Sequence, residues 1–285
     1  MRINHNIPSM VTQGALFKTN RSLGKSLERL STGLRINRAS DDAAGLGVSE
    51  NLRTQVRGVA QAQRNAQDGI AALQIAEGSA NEISSLLQRM RELAIQSAND
   101  TLTSTERGYT EQEFTNLRSE IDRIAAVTNY NDMDLVSDTA DRFGWSTGAN
   151  DGSVLWVDAN NTVGTDSITV SIDTLTATAL GIDSETISEQ ADAVSAVSVL
   201  DEAIGSVNTM RSDVGAYVNR LEHAMNNLTV AETNQASAES MIRDVDFATE
   251  TTNFTRNQIL SQSAMSMLSQ ANMIPSSVLT LVGGG

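Results

Sequence analysis

The chain has 285 residues, no cysteine, two prolines and only 4% aromatic residues. The lack of cysteine excludes disulfides, zinc–thiolate sites and thiol nucleophiles, and so few aromatic side chains argue against a wide, rounded core. A formal net charge of −15 argues against nucleic acid as a partner, because phosphate binding needs a basic surface. We interpret the basic residues that precede position 64 as a solvated helix face.

The N-terminal sequence does not predict a secretory signal peptide. Residues 1–8 lack the apolar segment of a cleaved signal peptide. No stretch reaches the ~18 uninterrupted apolar residues of a transmembrane helix, so a membrane is not predicted as a partner. If the protein leaves the cell, it uses a route that does not read such a signal.

The first third of the chain is predicted to be helical with one interruption. Residues 11–34 form a leucine-faced helix that three glycines weaken by roughly 1 kcal/mol each, so it is expected to form only when packed. Residues 37–47 combine polar capping residues with paired glycines and predict a joint. A second helix is predicted from about Val48 to Asn99.

The next helix is predicted to start after a polar turn, with Ser104 or Thr105 as its N-cap. Within residues 136–190 the pattern changes to turn formers and β-branched runs, which predict a small β-hairpin region with strands at 154–157 and 168–172.

Helix is predicted to return from about Ser188 to Leu228. A polar stretch follows, and then a final amphipathic helix that Pro275 ends or bends.

Two distant segments share a three-and-four spacing of apolar residues. The first comprises Leu73, Ala76, Ala80, Ile83, Leu87, Met90 and Ala94. The second comprises Leu200, Ile204, Val207, Arg211, Val214, Val218, Leu221, Met225 and Leu228. Such a seam buries itself only against another helix with a similar seam, so the two segments are predicted to pair. The fold class is therefore mainly α, a long antiparallel helical hairpin or coiled-coil bundle with a small β-hairpin region.

Arg211 is a charged residue within the second seam, and it needs a carboxylate partner or an outward path to solvent. We interpret it as a residue that sets the register of the pairing.

No combination of residues predicts a catalytic, cofactor or metal site, so the chain is not expected to be an enzyme. The two histidines, His5 and His223, share no metal-ligand spacing with each other or with acids. Asp41 and Asp42 stand at a predicted helix start and are interpreted as caps. The acids near position 132 lack the glycine and terminal glutamate of a calcium loop.

Several longer motifs point to one family. Near the N-terminus they are INHN at 3–6, LSTGLRIN at 30–37, SDDAAGL at 40–46, QRMRELAIQSAN at 88–99 and EIDRI at 120–124. Near the C-terminus they are SAESMIRDVD at 237–246, QIL at 258–260 and ANMIP at 271–275. Over about 1–135 and 190–285 the chain resembles the bacterial flagellins, the subunits of the flagellar filament. The large outer domains of longer flagellins have no room in this sequence.

The resemblance implies two domains and a set of contacts between subunits. Residues 1–42 and 243–285 would form an inner coiled-coil domain, and residues 43–242 a rod-like helical domain that includes the β-hairpin region at 136–190. The terminal apolar positions would pack subunit against subunit: Leu16, Leu23, Leu27, Leu30, Leu260, Ala264, Leu268, Val278 and Leu281. In the free monomer these ends are expected to be disordered.

The resemblance also implies partners and a location. The chain would be secreted through the flagellar type III route and would form an extracellular homopolymer for swimming. Its partners would be copies of itself, an export chaperone on the C-terminal segment, and the hook-junction and cap proteins. A helical patch of Arg89, Leu93, Gln96 and Glu120 matches the surface that a vertebrate innate immune receptor recognises in this family. The alternative interpretation is that these four residues are contacts between subunits within the filament.

Three other functions fit parts of the sequence less well. A hook-junction or cap protein would share only weaker terminal similarity. An enzyme insert of the kind that some flagellins carry would need a longer central region and a His-Glu-x-x-His motif. A generic coiled coil would form small closed oligomers, whereas contacts that do not close produce open filaments.

Overall fold

The computed structural model describes residues 5–138, 143, 152–160, 162 and 165–282, with side chains up to Met273. The fold is mainly α, as predicted, and its elements in chain order are α1 (Ile7–Thr32), α2 (Ala43–Ser97), α3 (Ser104–Val127), β1 (Asn129–Tyr130), β2 (Met133–Asp134), β3 (Ser153–Trp156), β4 (Ser167–Val170), α4 (Gln190–Arg243) and α5 (Phe247–Val282). Among the described residues, no helix has the length and apolar character that crossing a membrane requires.

The chain divides into two compact units. The terminal unit comprises Met1–Thr54 and Asn234–Gly285, and the central unit comprises Gln55–Thr233. These divisions fall inside α2 and α4, whereas the sequence analysis placed the domain boundaries at helix ends, after residues 42 and 242.

In the central unit, α2 and α4 run antiparallel. Arg91 of α2 donates to Asp201 of α4 (Nε–Oδ1 2.6 Å), and Gln63 donates to Glu232 (Nε2–Oε2 3.0 Å). The predicted seam on α2 is confirmed, because all seven of its residues are fully buried. Since the stripe mixes three alanines with four larger residues, the facing helix can pack closely against it.

The predicted seam on α4 is only half correct. Leu200, Val207, Val214, Leu221 and Leu228 are buried as expected. Between these residues, Ile204 and Arg211 were predicted to lie in the seam, but both are only partly buried. The fully buried residues are their neighbours Ala203 and Met210. Both Ala203, three residues after Leu200, and Ile204, four residues after it, are apolar. The spacing therefore does not distinguish a stripe through Ala203 from one through Ile204.

Arg211 therefore lies at the edge of the seam, not inside it. Its Nη2 atom is 3.8 Å from Oε1 of Glu77 on α2, which supplies the predicted carboxylate partner. Both side chains are partly exposed, so the ion pair contributes little to stability.

The helix α3 covers the α2–α4 seam with Phe114 and Ile121, both fully buried. Its N-cap is Thr103, and not Ser104 or Thr105 as predicted. The Thr103 hydroxyl accepts from the Glu106 N–H, and the Glu106 carboxylate accepts from the Thr103 N–H at 2.8 Å. The Thr103 hydroxyl also donates to the Glu106 carboxylate (2.9 Å), and the backbone and hydroxyl bonds that this carboxylate accepts lower the pKa of Glu106.

One face of α3 also holds the irregular segment that precedes α4. Glu111 accepts from the N–H of Ile187 (2.6 Å), and Asp122 accepts from the N–H of Ala177 (2.8 Å). Arg118 lies between these two acids on the same face, because the three residues are spaced by seven and four positions. Asp122 thus pairs with backbone in this segment, and Asp132 forms a turn.

The two short hairpins have different origins. Asn131 and Asp132 both have positive φ (53° and 61°), which is the two-residue turn that joins β1 to β2. The sequence analysis missed this hairpin, although an Asn–Asp pair favours such turns. The β3–β4 hairpin confirms the predicted strands, with Ser153 opposite Val170 and Trp156 opposite Ser167.

Two glycines of α2 allow the β3–β4 hairpin to approach the helix. A Cβ at Gly58 would lie 2.7 Å from the Cβ of Ala159, and one at Gly69 would lie 2.6 Å from Cδ1 of Leu155. The glycines are eleven residues apart, close to three helical turns, so both face the hairpin.

In the terminal unit, α1 packs antiparallel against α5. Asn6 donates to the Ala271 carbonyl (2.9 Å), and Ser261 donates to Asn20 (2.9 Å). Arg29 lies 3.6 Å from Glu250 near the other end of the contact. The links are hydrogen bonds and one ion pair.

The predicted joint between the first two helices is confirmed and lies at residues 33–42. Gly33 ends α1 in the left-handed conformation (φ 73°), and Asp42 caps α2 by accepting from the Gly45 N–H (2.9 Å). The prediction that Asp41 is a cap is wrong. Asp41 instead accepts from Lys25 (2.9 Å), and this hydrogen bond lowers the pKa of Asp41.

Two expectations about the C-terminal third change: the predicted helix end near Leu228 is wrong, and of the two outcomes predicted for Pro275, an end or a bend, the end is wrong. The polar stretch after Leu228 is not a loop, because α4 continues to Arg243; residues 229–243 contain no glycine or proline to interrupt it. Pro275 does not end α5, which runs on to Val282. A proline removes only one hydrogen bond of a helix, and a long helix can continue past it.

The glycine contacts predict a graded series of alanine substitutions. Gly58→Ala would lower the free energy of unfolding of the central unit by about 1–3 kcal/mol, because its new methyl group meets Ala159, which cannot turn away. Gly69→Ala would cost less, since the end of the Leu155 side chain can move. The control Gly78→Ala meets nothing within 4 Å and would stabilise α2 by up to about 1 kcal/mol. Urea unfolding followed by circular dichroism measures all three, and equal effects would contradict the packing.

The capping box of α3 predicts a pH effect with a definite sign. Because the folded state lowers the pKa of Glu106, its contribution to stability is complete above the ordinary value of 4.5 and is lost as pH falls through the lower folded pKa. Glu106→Gln would remove this part of the pH dependence of unfolding. Thr103→Ala would instead cost about 1 kcal/mol even at neutral pH, through loss of the N-cap. An unchanged acid slope in Glu106→Gln would refute the assignment.

Candidate assembly and recognition surfaces

The two units bury very different side chains. The central unit has a continuous apolar core that extends from Ala66 to Leu221. Among the described residues of the terminal unit, the buried positions are Ser26, Ile36, Ser49, Glu250, Ser261 and Ala271. Ile36, at the joint, is therefore the one large apolar residue that the described part of this unit buries.

Besides half-buried leucines such as Leu16 and Leu268, the terminal unit has large apolar residues that face outward. Those of α1 are Ile7, Met10, Val11, Phe17 and Leu27. Those of α5 are Phe247, Ile259, Leu260, Met265, Met267 and Met273. We call these two sets the terminal faces. An apolar surface of this extent marks an interaction site.

The predicted subunit-packing residues divide into three groups. Leu16, Leu23, Leu30, Ala264 and Leu268 are half-buried, and Leu16 and Ala264 lie about one turn from the Asn20–Ser261 contact on either helix. Leu27 and Leu260 belong to the terminal faces and are 58% and 48% exposed. The side chains of Val278 and Leu281 lie outside the described residues.

The sequence analysis did not include Phe17, Val11 or Ile259, which are among the most exposed apolar residues of the terminal faces. A second apolar stripe at Met10 and Phe17, spaced by seven residues, could have revealed part of this surface. The leucine stripe of the same helix concealed it, because leucines dominate a search for one apolar face.

The four residues of the predicted receptor patch do not all reach the surface. Arg89 and Gln96 are exposed on α2, and Glu120 is partly exposed on α3. Leu93 is 1% exposed and belongs to the core. Leu93 can therefore support the patch from beneath, but its side chain is covered by the chain itself.

Ion pairs organise the exposed part of this patch. Arg89 bridges Glu113 of α3 (2.9 Å) and Glu92 (3.0 Å), and the hydrogen bond to Glu113 is the main cause that raises the pKa of Arg89. Glu120 lies two turns from Glu113, about 10 Å along α3. Its pKa is lowered by the hydrogen bond from Arg123, whose own pKa that bond raises. The patch is thus a prearranged set of charges on two packed helices.

The described residues show no arrangement for metal chemistry. No group of three or more histidine, aspartate or glutamate side chains there could hold a metal ion.

Comparison with known proteins identifies the family. Residues 3–141 match the bacterial flagellin N-terminal helical region, and residues 197–282 match the bacterial flagellin C-terminal helical region. A flagellin of Halalkalibacterium halodurans is 44% identical over 282 residues, which cover 99% of this chain and 100% of that protein. The flagellar filament 33 kDa core protein of Treponema phagedenis is 44% identical over 291 residues, with the same coverage.

A solved structure described as a flagellar hook-associated protein, from Vibrio parahaemolyticus, has a TM-score of 0.57 at 17% identity and covers 71% of this chain and 99% of that one. At this identity the likeness concerns the fold alone. The sequence matches, in contrast, extend over nearly the whole chain and include both terminal regions. The chain therefore belongs to the bacterial flagellin family.

Proposed function

We propose that this flagellin polymerises into the bacterial flagellar filament, which drives swimming, and that the terminal faces of α1 and α5 supply the contacts between copies. The observation that carries the proposal is the contrast in burial. Among the described large apolar side chains of the terminal unit, only Ile36 is buried; those of the terminal faces are exposed, and the leucine stripe of α1 is half-buried.

The energetics favour contact between copies over contact within one chain. Fully burying a leucine, phenylalanine or methionine side chain stabilises a structure by about 1.5–3 kcal/mol, and the α1–α5 contact obtains little of this. Its hydrogen bonds, such as Asn6 to Ala271, contribute on the order of 1 kcal/mol each. The conformational entropy lost when the backbone of one residue is ordered costs about as much free energy as one such hydrogen bond contributes. Copies that cover the terminal faces would offset that cost.

Folding of the terminal unit would consequently be coupled to assembly. The free chain would keep a folded central unit, whose core is complete, and disordered ends. Growth would then occur only where existing copies offer a surface to fold against. An open filament requires heterologous contacts, in which the terminal faces of one copy meet a different surface of the next and extend without closing.

Unfolded ends also suit a route out of the cell. We propose that the chain is secreted through the flagellar type III pathway and that an export chaperone covers the apolar face of α5 before assembly. A helix that lays its apolar face in a groove is the physical form expected of that contact. The hook-junction and cap proteins would meet the same terminal faces at the two ends of the filament.

A second proposed interaction uses the central unit. We propose that a vertebrate innate immune receptor binds the patch of Arg89, Gln96 and Glu120, with Leu93 as support. The prearranged ion pairs of Arg89 favour this reading, because an arginine held in place loses less side-chain entropy when it binds. The same surface can also contact other copies in the filament.

The assembly proposal predicts a separation between folding and polymerisation. A Leu27→Asp/Leu260→Asp chain would keep the unfolding midpoint of its central unit within experimental error, because both positions lie outside that unit. Its seeded polymerisation at neutral pH would fall at least about tenfold, since each change places a charge in an apolar contact. Light scattering and electron microscopy report polymer growth and form.

The matched control is Leu27→Ile/Leu260→Ile, which keeps an apolar side chain of the same volume and is expected to assemble nearly normally. Long filaments from the aspartate chain at the normal rate would contradict the role of these faces. Small closed oligomers from the unaltered chain would contradict the filament itself.

The receptor proposal predicts that Arg89→Ala weakens binding of the receptor ectodomain by about tenfold or more, because arginines at interface centres often dominate affinity. The control Arg91→Ala removes an equivalent ion pair, with Asp201 of α4, and should leave binding unchanged. Surface plasmon resonance on the assembly-deficient chain measures both. Equal losses for the two variants would exclude the patch as the binding surface.

A further inference from the structure

The described methionines are distributed unevenly between the units. In the central unit, Met90 and Met210 are fully buried and Met133 and Met225 are half-buried. In the terminal unit all five are between 52% and 80% exposed: Met10, Met241, Met265, Met267 and Met273. Four of these five belong to the terminal faces, and Met241 lies near the end of α4.

Exposed thioethers are accessible to peroxides, and buried ones are shielded by the core. Oxidation turns an apolar, flexible side chain into a polar sulfoxide. A sulfoxide needs hydrogen-bond partners when it is buried, and an apolar contact offers none. Oxidation would therefore act on the surface that assembly covers and spare the core of the central unit.

We infer that the five exposed methionines of the terminal unit form an oxidation-sensitive site that controls self-association, an inference that rests on the proposed function. The modifying agent is a peroxide, with hydrogen peroxide as the simplest case. Oxidised chains remain folded in the central unit but do not add to a growing polymer. Chains already assembled are protected, because neighbouring copies cover the thioethers.

The chemistry is a two-electron oxygen transfer. A lone pair of the methionine sulfur attacks the distal oxygen of hydrogen peroxide, an S–O bond forms, and the O–O bond breaks. The sulfur is oxidised, the peroxide is reduced, and proton transfer to the departing oxygen releases one water. The sulfoxide reductases restore the thioether with two electrons from a thiol reductant and release the oxygen as water, and one enzyme is needed for each sulfoxide epimer.

The segregation matters because oxidation elsewhere would unfold the protein. A sulfoxide at Met90 or Met210 would place an unpaired dipole in the core formed by α2, α3 and α4. Their complete burial delays that reaction for as long as the central unit stays folded. The loss of assembly is consequently reversible, since the central unit survives the treatment.

The test compares the unaltered chain with a chain in which Met10, Met241, Met265, Met267 and Met273 are all replaced by leucine. Leucine keeps the apolar surface and cannot be oxidised. Both chains are treated as monomers with hydrogen peroxide, and peptide mass spectrometry locates the sulfoxides. Seeded assembly is then followed by light scattering, and unfolding of the central unit by circular dichroism.

We expect sulfoxides at the five exposed methionines and none at Met90 or Met210, a loss of about tenfold or more in assembly rate for the unaltered chain, and an unchanged unfolding midpoint. The five-leucine chain should assemble equally well before and after treatment. Reduction of the oxidised unaltered chain with both sulfoxide reductases should restore its assembly. That recovery tests the inference even if the leucine chain assembles poorly.

Other results would separate this inference from the proposed function. Failure of the untreated, unaltered chain to form filaments would overturn the proposed function. Normal assembly after full oxidation of the five methionines would overturn only the oxidation site. A loss of assembly that the reductases do not reverse, with sulfoxide at Met90 or Met210, would also overturn it, because damage to the core would then be the cause.

Discussion

The antiparallel contact between α2 and α4 is the constraint on which the rest of the central unit depends. Its α2 side combines alanines with larger residues, and every residue of the predicted stripe is buried. The small residues permit close approach, and the large ones fill the space beside them. The helix α3 then covers the seam with Phe114 and Ile121, and its Glu111 and Asp122 hold the segment before α4 by accepting backbone N–H groups. The β3–β4 hairpin in turn packs on α2 at Gly58 and Gly69.

The terminal unit follows the opposite principle, and the difference accounts for how a filament subunit can be stored, exported and assembled. Its α1–α5 contact is held by polar links such as Ser261 to Asn20, while Phe17, Leu27 and Leu260 remain exposed. A unit built in this way gains stability mainly from neighbours. Under the proposed function, complete burial in one unit and incomplete burial in the other would confine polymerisation to the terminal helices and would also leave their methionines open to peroxide.

Regular spacing of apolar residues predicted the paired helices of this protein correctly. Predictions that depended on choosing between neighbouring residues of similar character were often wrong. The buried stripe of α2 was predicted residue by residue, because only one stripe of that segment is apolar. On α4 both Ala203 and Ile204 continue the pattern from Leu200, and only the facing helix selects Ala203. The cap of α3 was misplaced for a similar reason, since Thr103, Ser104 and Thr105 can all accept the same kind of hydrogen bond. Polarity alone did not end α4, because a helix ends where its backbone bonds cannot continue.

The sequence by itself determined the mainly helical class, the pairing of distant segments, the family and the absence of cysteine chemistry, because these depend on residue type and spacing. Only the tertiary structure decided which apolar residues are covered. Leu93 and Leu27 are both leucines within predicted helices. Leu93 is buried in the core of the central unit, whereas Leu27 is exposed on α1. That outcome depends on which helices pack against each position, and spacing along one helix carries no information about its neighbours.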